Sequence, residues 1–211
     1  MPGRERRNAL AFLGQGVFFF AGYCFFDCNT VLPMFLRAVA GRPELAGVPT
    51  TLRQLCTLLV QLLLGGYVVR ARHTSRAITG FLFLGYSAPL LLAGLVLLGA
   101  SGAGLVWGTF GAVALLWLSD GMISIAYYDL LGRALDAQSR ARVLGGQQVL
   151  GGLASLAGAA AIKLVLDRVS LPLPTRYALL FLLGGGLLYL AAACMGFCRD
   201  VPREEPERRE S

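Results

Sequence analysis

Five polar side chains sit in stretches that are otherwise apolar: Asp27, Asn29, Gln61, Asp120 and Ser124. An ionisable group at membrane depth is costly and faces the bundle interior or a wet cavity, where it can meet a solute or carry a proton. Asp120, in Trp117-Leu-Ser-Asp-Gly-Met122, is the most isolated acid of the chain. At about 100° per residue it shares a helical face with Thr109, Ser124 and Tyr127. Two roles are open to it, contact with a solute or proton, or a structural hydrogen bond to another helix. Asp27 and Asn29 are two residues apart, about 200° on a helix, and cannot share a face. One can line a cavity while the other packs; the alternative for Asp27 is a place near the headgroups. Gln54, Thr57, Gln61 and Gly65 fall within one narrow arc, an amphipathic stripe that lines a pore or hydrogen-bonds a sister helix.

Other spacings point to packing. Gln148, Gly152, Ser155 and Ala159 follow one helical face, and small residues at that spacing let two helix backbones approach closely. Lys163 is placed to snorkel to an interface, and Asp129 to pair with a loop arginine. Cys24/Cys28 and Cys194/Cys198 are four apart in apolar surroundings. A zinc site wants closer pairs in polar loops, so the cysteines read as small packing residues, with no disulfide framework and no metal site.

The elements that must position these residues are long apolar blocks. Hydrophobic residues make up 56% of the 211 and charged ones only 15%, against about 25% charged in soluble domains. No single buried core of this size could hide so many apolar blocks, whereas lipid can solvate their outer faces. A spanning helix needs about 20 apolar residues. Six segments qualify: Ala9 to Leu36, Val48 to Val69, Ala77 to Leu98, Gly104 to Leu131, Val143 to Val165 and Tyr177 to Phe197. Barrel strands would alternate apolar and polar residues, which Leu90-Leu-Leu-Ala-Gly-Leu-Val-Leu-Leu98 does not. The fold class expected is therefore an all-α membrane protein of six transmembrane helices. Residues 1–8 are expected as a cytoplasmic N-terminus, 9–198 as the membrane domain and 199–211 as a charged, disordered cytoplasmic tail. The first apolar run is too long for a signal peptide and lacks its cleavage site.

Arginine placement gives an orientation. With the N-terminus inside, thirteen arginines fall on the cytoplasmic side and five, Arg37, Arg42, Arg53, Arg168 and Arg176, on the other. Both termini are thus expected in the cytoplasm; eighteen of the nineteen basic residues are arginine, the codon composition of a GC-rich genome, so a multi-pass protein of a bacterial inner membrane is expected. The net charge of +7 resides at block ends and forms no aromatic-and-basic face, which argues against nucleic acid.

Enzyme signals fail. The single histidine, His73, lies in a loop. Ser155 lacks the Gly-x-Ser-x-Gly spacing. Asp129 and Asp136 do not give the acid spacing that a headgroup transferase needs after Asp120-Gly121. No phosphate-binding loop is present. The chain is expected to be neither an enzyme nor a cofactor binder.

The pattern resembles the N-terminal half of a major facilitator superfamily transporter over roughly residues 8 to 200. The resemblance rests on the long first segment ending Asn29-Thr-Val-Leu-Pro-Met-Phe-Leu36, and on the short basic loop Gly65-Gly-Tyr-Val-Val-Arg-Ala-Arg-His73. It rests also on Arg140 and Arg142 before Gly145 and Gly146. Gly65 and Arg70 match the family's loop motif; Val69 stands where the family has an acid and Arg72 where it has the second glycine. The resemblance implies a half bundle of two inverted three-helix repeats, lining one wall of a solute cavity and completed by a second six-helix half or a second copy. It implies secondary transport of a small solute, with Asp27, Gln61 and Asp120 as contacts. The alternative is a non-catalytic six-helix subunit that docks to a partner chain through the small-residue face of the fifth segment.

Overall fold

A computed structural model describes residues 2–69 and 74–201, with side chains described at all of these except 2, 64–69 and 74. Among the described residues there are helices and turns but no strands. Five helical stretches are long and apolar enough to cross a membrane: Gly3–Ala38, Ser75–Leu97, Ala103–Ala134, Ala137–Arg168 and Leu173–Gly196. In chain order the helices are α1 (Pro2–Tyr23), α2 (Val31–Ala38), α3 (Val48–Val69), α4 (Thr74–Tyr86), α5 (Ala88–Leu97), α6 (Ala103–Ala134), α7 (Ala137–Arg168) and α8 (Leu173–Gly196). At 1.5 Å per residue α6 and α7 are each about 48 Å long, longer than the roughly 30 Å hydrocarbon layer.

The first segment is not one helix. A 3-10 turn at Cys24–Phe26 closes α1, and the chain turns extended at Asp27 (φ −66°, ψ 128°) before α2 begins. Two residues cause the break. Asp27 Oδ1 accepts the Asn29 N–H at 2.6 Å, the local turn that Asp side chains favour. Pro33 has no N–H, so in a continuous helix the Asn29 carbonyl would lose its donor. The 200° separation of Asp27 and Asn29 therefore does not apply. The short α2 is held by aromatic packing: Phe35 lies 5.3 Å from Tyr177 and 5.2 Å from Phe181, and Phe26 lies 5.7 Å from Phe181. The third segment is divided for the same reason. Pro89 sits in the first turn of α5, and helical geometry is interrupted at Ser87 between α4 and α5.

Helix neighbours follow a simple pattern. α1 packs along α7 and α8; α6 packs along α3 and against α4 and α5; α8 also meets α4 and α5. Where α1 crosses α8 the backbones nearly touch. A Cβ at Gly22 would lie 2.8 Å from the Gly184 carbonyl oxygen, and one at Gly184 2.9 Å from that of Gly22. Only glycine on both helices permits that crossing.

The two ends of the described chain meet on one side of the bundle. Asn8 forms a reciprocal pair with the Arg199 backbone: its Nδ2 donates to the carbonyl at 3.2 Å and its Oδ1 accepts the N–H at 2.9 Å. Arg7 Nε donates to the Phe197 carbonyl at 2.8 Å, and Arg4 donates to that of Asp200. The Asp200 carboxylate accepts the Ser75 N–H at 2.7 Å, which ties in α4. Helix already begins at Pro2, ahead of the apolar segment expected from Ala9, and Arg4, Arg7 and Asn8 in that first part have partners on the far end of the chain. Arg199, Asp200 and Val201 belong to the fold and not to a loose tail; 202–211 lie outside the described residues. Between α6 and α7, Asp136 caps α7 by accepting the Ser139 N–H at 2.6 Å. The Ser139 backbone and hydroxyl hold its carboxyl below the usual carboxylate range.

Candidate functional site

A cavity of about 280 Å³ opens between α1, α3, α6 and α7, with Leu82 of α4 closing one side. Each wall contributes polar groups for a local reason. On α6, Trp117, Asp120, Ser124 and Tyr127 recur every three or four residues and so share the face that looks inward. On α1, Gln15, Gly16, Phe19 and Phe20 line it, and on α7, Gln147 and Gln148. From α3 comes Arg53.

Among the described residues Arg53 is held without an acid partner. Its guanidinium lies 4.3 Å from the Trp117 ring centroid and 5.7 Å from that of Tyr23. Its Nη1 donates to the Tyr23 hydroxyl at 3.1 Å. A guanidinium over an indole face is among the stronger cation–aromatic contacts, worth about 0.5–2 kcal/mol as burial increases, and Arg53 is half-buried. Asp120 stands one helical turn from Trp117 and lines the same cavity, half-buried. No ion pair joins Asp120 to Arg53; ion pairs among the described residues are found elsewhere, as at Arg42–Glu44 and Arg133–Asp129.

The amides are fixed from several sides. Gln147, buried, donates through Nε2 to the Phe12 carbonyl at 2.7 Å and to the Tyr127 hydroxyl at 2.9 Å, so one side chain links α7, α1 and α6. Gly16 makes room for it, since a Cβ there would lie 2.3 Å from the Gln147 side chain. Gln15 Nε2 reaches the Tyr86 hydroxyl at 3.4 Å. Gln61 Nε2 donates to Ser124 Oγ at 3.2 Å, joining α3 to α6, and Ser124 in turn donates to the Gly121 carbonyl.

Of the residues singled out in the sequence, the fold brings Asp120, Ser124 and Tyr127 to the cavity and sets Gln61 beside Ser124. Asp27 and Asn29 lie apart from them, in the break of the first segment. There Asp27 caps the turn, and Thr50 Oγ1 donates to the Cys28 carbonyl at 2.9 Å, with Asn29 Oδ1 at 3.1 Å. Thr109 is buried with its hydroxyl on the Leu105 carbonyl of its own helix. Asp129 pairs within its own helix with Arg133 at 2.8 Å. Arg140 lies over Gly132, and Arg142 is exposed near Asp136. Arg70 and His73 lie outside the described residues, and Gly65 lies where only the backbone is described.

The packing face of α7 is turned by one residue from the expected one. Gly152 and Ala159 are exposed, with nothing within 4 Å of a Cβ at Gly152. The close approach to α1 runs through Gly151 and Gly158. Cβ atoms there would lie 2.5 Å from Phe20 and 2.3 Å from Cys24 Sγ. Ser155 is on this seam, its Oγ donating to the Phe20 carbonyl at 3.0 Å.

Arg53, Gln15, Trp117 and Gln147 were not singled out as site residues. Arg53 was counted among the outer flanking arginines; its place five residues inside the Val48–Val69 apolar run was the signal that it belongs within the bundle. Gln15 and Gln147 were legible as lone amides in apolar runs.

No protein-family model, curated protein or solved structure matches the chain. The cavity's own chemistry therefore carries the functional argument.

Proposed function

We propose that the chain is a six-helix half bundle of the major facilitator type, which moves a small solute by secondary transport with a second half or a second copy. The observation that carries this reading is a cavity lined by Asp120 and Arg53 between helices whose outer surfaces are apolar, a polar interior with a lipid-compatible exterior. Helix neighbours support the repeat. Taken as six segments, the first packs on the fifth and sixth, and the fourth packs on the second and third. Advancing each segment by three, around the cycle of six, maps one set of contacts onto the other, as two three-helix repeats require; alternating crossings would make them inverted. The meeting of Arg4, Arg7 and Asn8 with 197–200 supports a layout with both ends on one side and an even number of crossings, α3 being the sixth. The arginine bias favours the cytoplasm for that side.

The test is uptake into proteoliposomes by the full chain, alone and with its neighbouring gene products. Asp120→Asn should reduce accumulation at least about tenfold, whereas Asp27→Asn, which replaces a turn cap outside the cavity, should leave it within about twofold. Unchanged uptake in Asp120→Asn, with Asp27→Asn the damaging variant, would overturn the placement of the site. A second reading, a non-catalytic subunit docked through α7, draws on the exposure of Gly152, Ala159, Val149, Leu153 and Leu156. Native mass spectrometry that finds a partner of different sequence, in a complex without uptake, would favour it.

A further inference from the structure

The cavity holds one positive and one negative group that do not neutralise each other in contact. Arg53 is committed to the Trp117 face and the Tyr23 hydroxyl, and Asp120 has no hydrogen bond or ion pair among the described residues. The other polar lining groups are neutral, so the formal charges of the lining cancel. A free cation drawn to Asp120 would share the cavity with Arg53, and a free anion drawn to Arg53 would share it with Asp120. Either would leave one charge uncompensated in a setting of low dielectric. A solute with both charges leaves neither unpaired.

Size and wall chemistry narrow the class. At about 30 Å³ per water, 280 Å³ has room for roughly nine waters, and so for a solute of similar heavy-atom count. It falls just below the ~300–1,000 Å³ typical of drug-sized ligand sites. Phe19, Phe20 and Tyr127 supply apolar and aromatic wall between the charged groups. Trp117, under the guanidinium, and Asp120 stand about one helical turn apart on α6, so both charged groups border the same small cavity.

We infer that the cavity binds a small zwitterion of amino-acid size, its anionic end at Arg53 and its cationic end at Asp120. The inference rests on the transporter reading for its purpose but not for its test, which is binding.

The probes are leucine and glycine betaine as zwitterions, leucinamide as a cation and 4-methylpentanoate as an anion. Affinities are measured by calorimetry, and stabilisation by thermal unfolding, on the full chain in lipid nanodiscs. At least one zwitterion should bind. Where it is leucine, leucinamide and 4-methylpentanoate should each bind at least about tenfold more weakly, as loss of a charge-assisted contact predicts. Arg53→Gln should abolish the preference over the amide, and Asp120→Asn the preference over 4-methylpentanoate. Should either variant fail to fold, the wild-type ranking decides alone. A singly charged probe that binds as tightly as the zwitterions, or a panel in which no zwitterion binds, would overturn the inference. Zwitterion binding without accumulation in proteoliposomes would remove the transport reading and leave the site; accumulation of a singly charged solute would do the reverse.

Discussion

The α1–α8 crossing gives the sharpest test of the fold. Gly184 and Gly186 lie two residues apart on α8, but their surroundings differ. A Cβ on Gly184 would sit 2.8 Å from Phe25 Cβ and 2.9 Å from the Gly22 carbonyl oxygen; one on Gly186 would meet nothing within 4 Å. Ordinary contact begins near 3.5 Å, so Gly184→Ala forces the two backbones apart by about 0.6 Å. Overpacking of that kind costs about 1–3 kcal/mol. Either substitution gains up to about 1 kcal/mol of helix propensity, and this cancels when the two are compared. Gly184→Ala should therefore be less stable than Gly186→Ala by about 1–3 kcal/mol. Reversible unfolding in mixed micelles, followed by tryptophan fluorescence and circular dichroism, reads the difference. Equal stabilities, or a Gly184→Ala variant above wild type, would mean that the helices do not cross there.

Gln147→Leu removes the donor shared by Phe12 and Tyr127; it should cost about 1–3 kcal/mol and change the fluorescence of cavity-lining Trp117. Asn8→Ala loses both bonds to the Arg199 backbone. Amide exchange over 197–201 should quicken by about tenfold or more, at roughly 1 kcal/mol per bond lost, with the α6 core unchanged. The Asp136 carboxyl is held below its unfolded value near 3.9. Its contribution to stability is complete above that value and disappears as pH falls through the lower folded one. The acid limb of wild-type unfolding below about pH 4 should therefore be shallower in Asp136→Asn, with equal slopes as the contrary result.

The apolar blocks were legible because length and hydropathy alone mark a membrane-compatible helix, and five of the six agree with spanning stretches among the described residues. The internal breaks were not read, although Pro33 and Pro89 were in plain view. Proline is tolerated inside such helices often enough that its presence does not say whether a helix bends or stops. Asp120 and Ser124 were found because one polar residue per turn in an apolar helix is visible in one dimension. Arg53 was missed because a charge near the end of a block reads as a flank, and only the third dimension lays it on Trp117. The α7 seam was off by one residue for a plain reason. In Gly151-Gly152 adjacent glycines offer two registers about 100° apart, and nothing local selects between them.

The amide of Gln147 has a further consequence. α7 leans mainly on α1 and only lightly on α6, so the gap between α6 and α7 is spanned at that point by the hydrogen bond from Gln147 to Tyr127. The same nitrogen grips the Phe12 carbonyl, and a swing of the side chain would loosen both at once. One rotamer thus links three helices, and a group competing for the tyrosine hydroxyl would act on α1 as well as on α6 and α7.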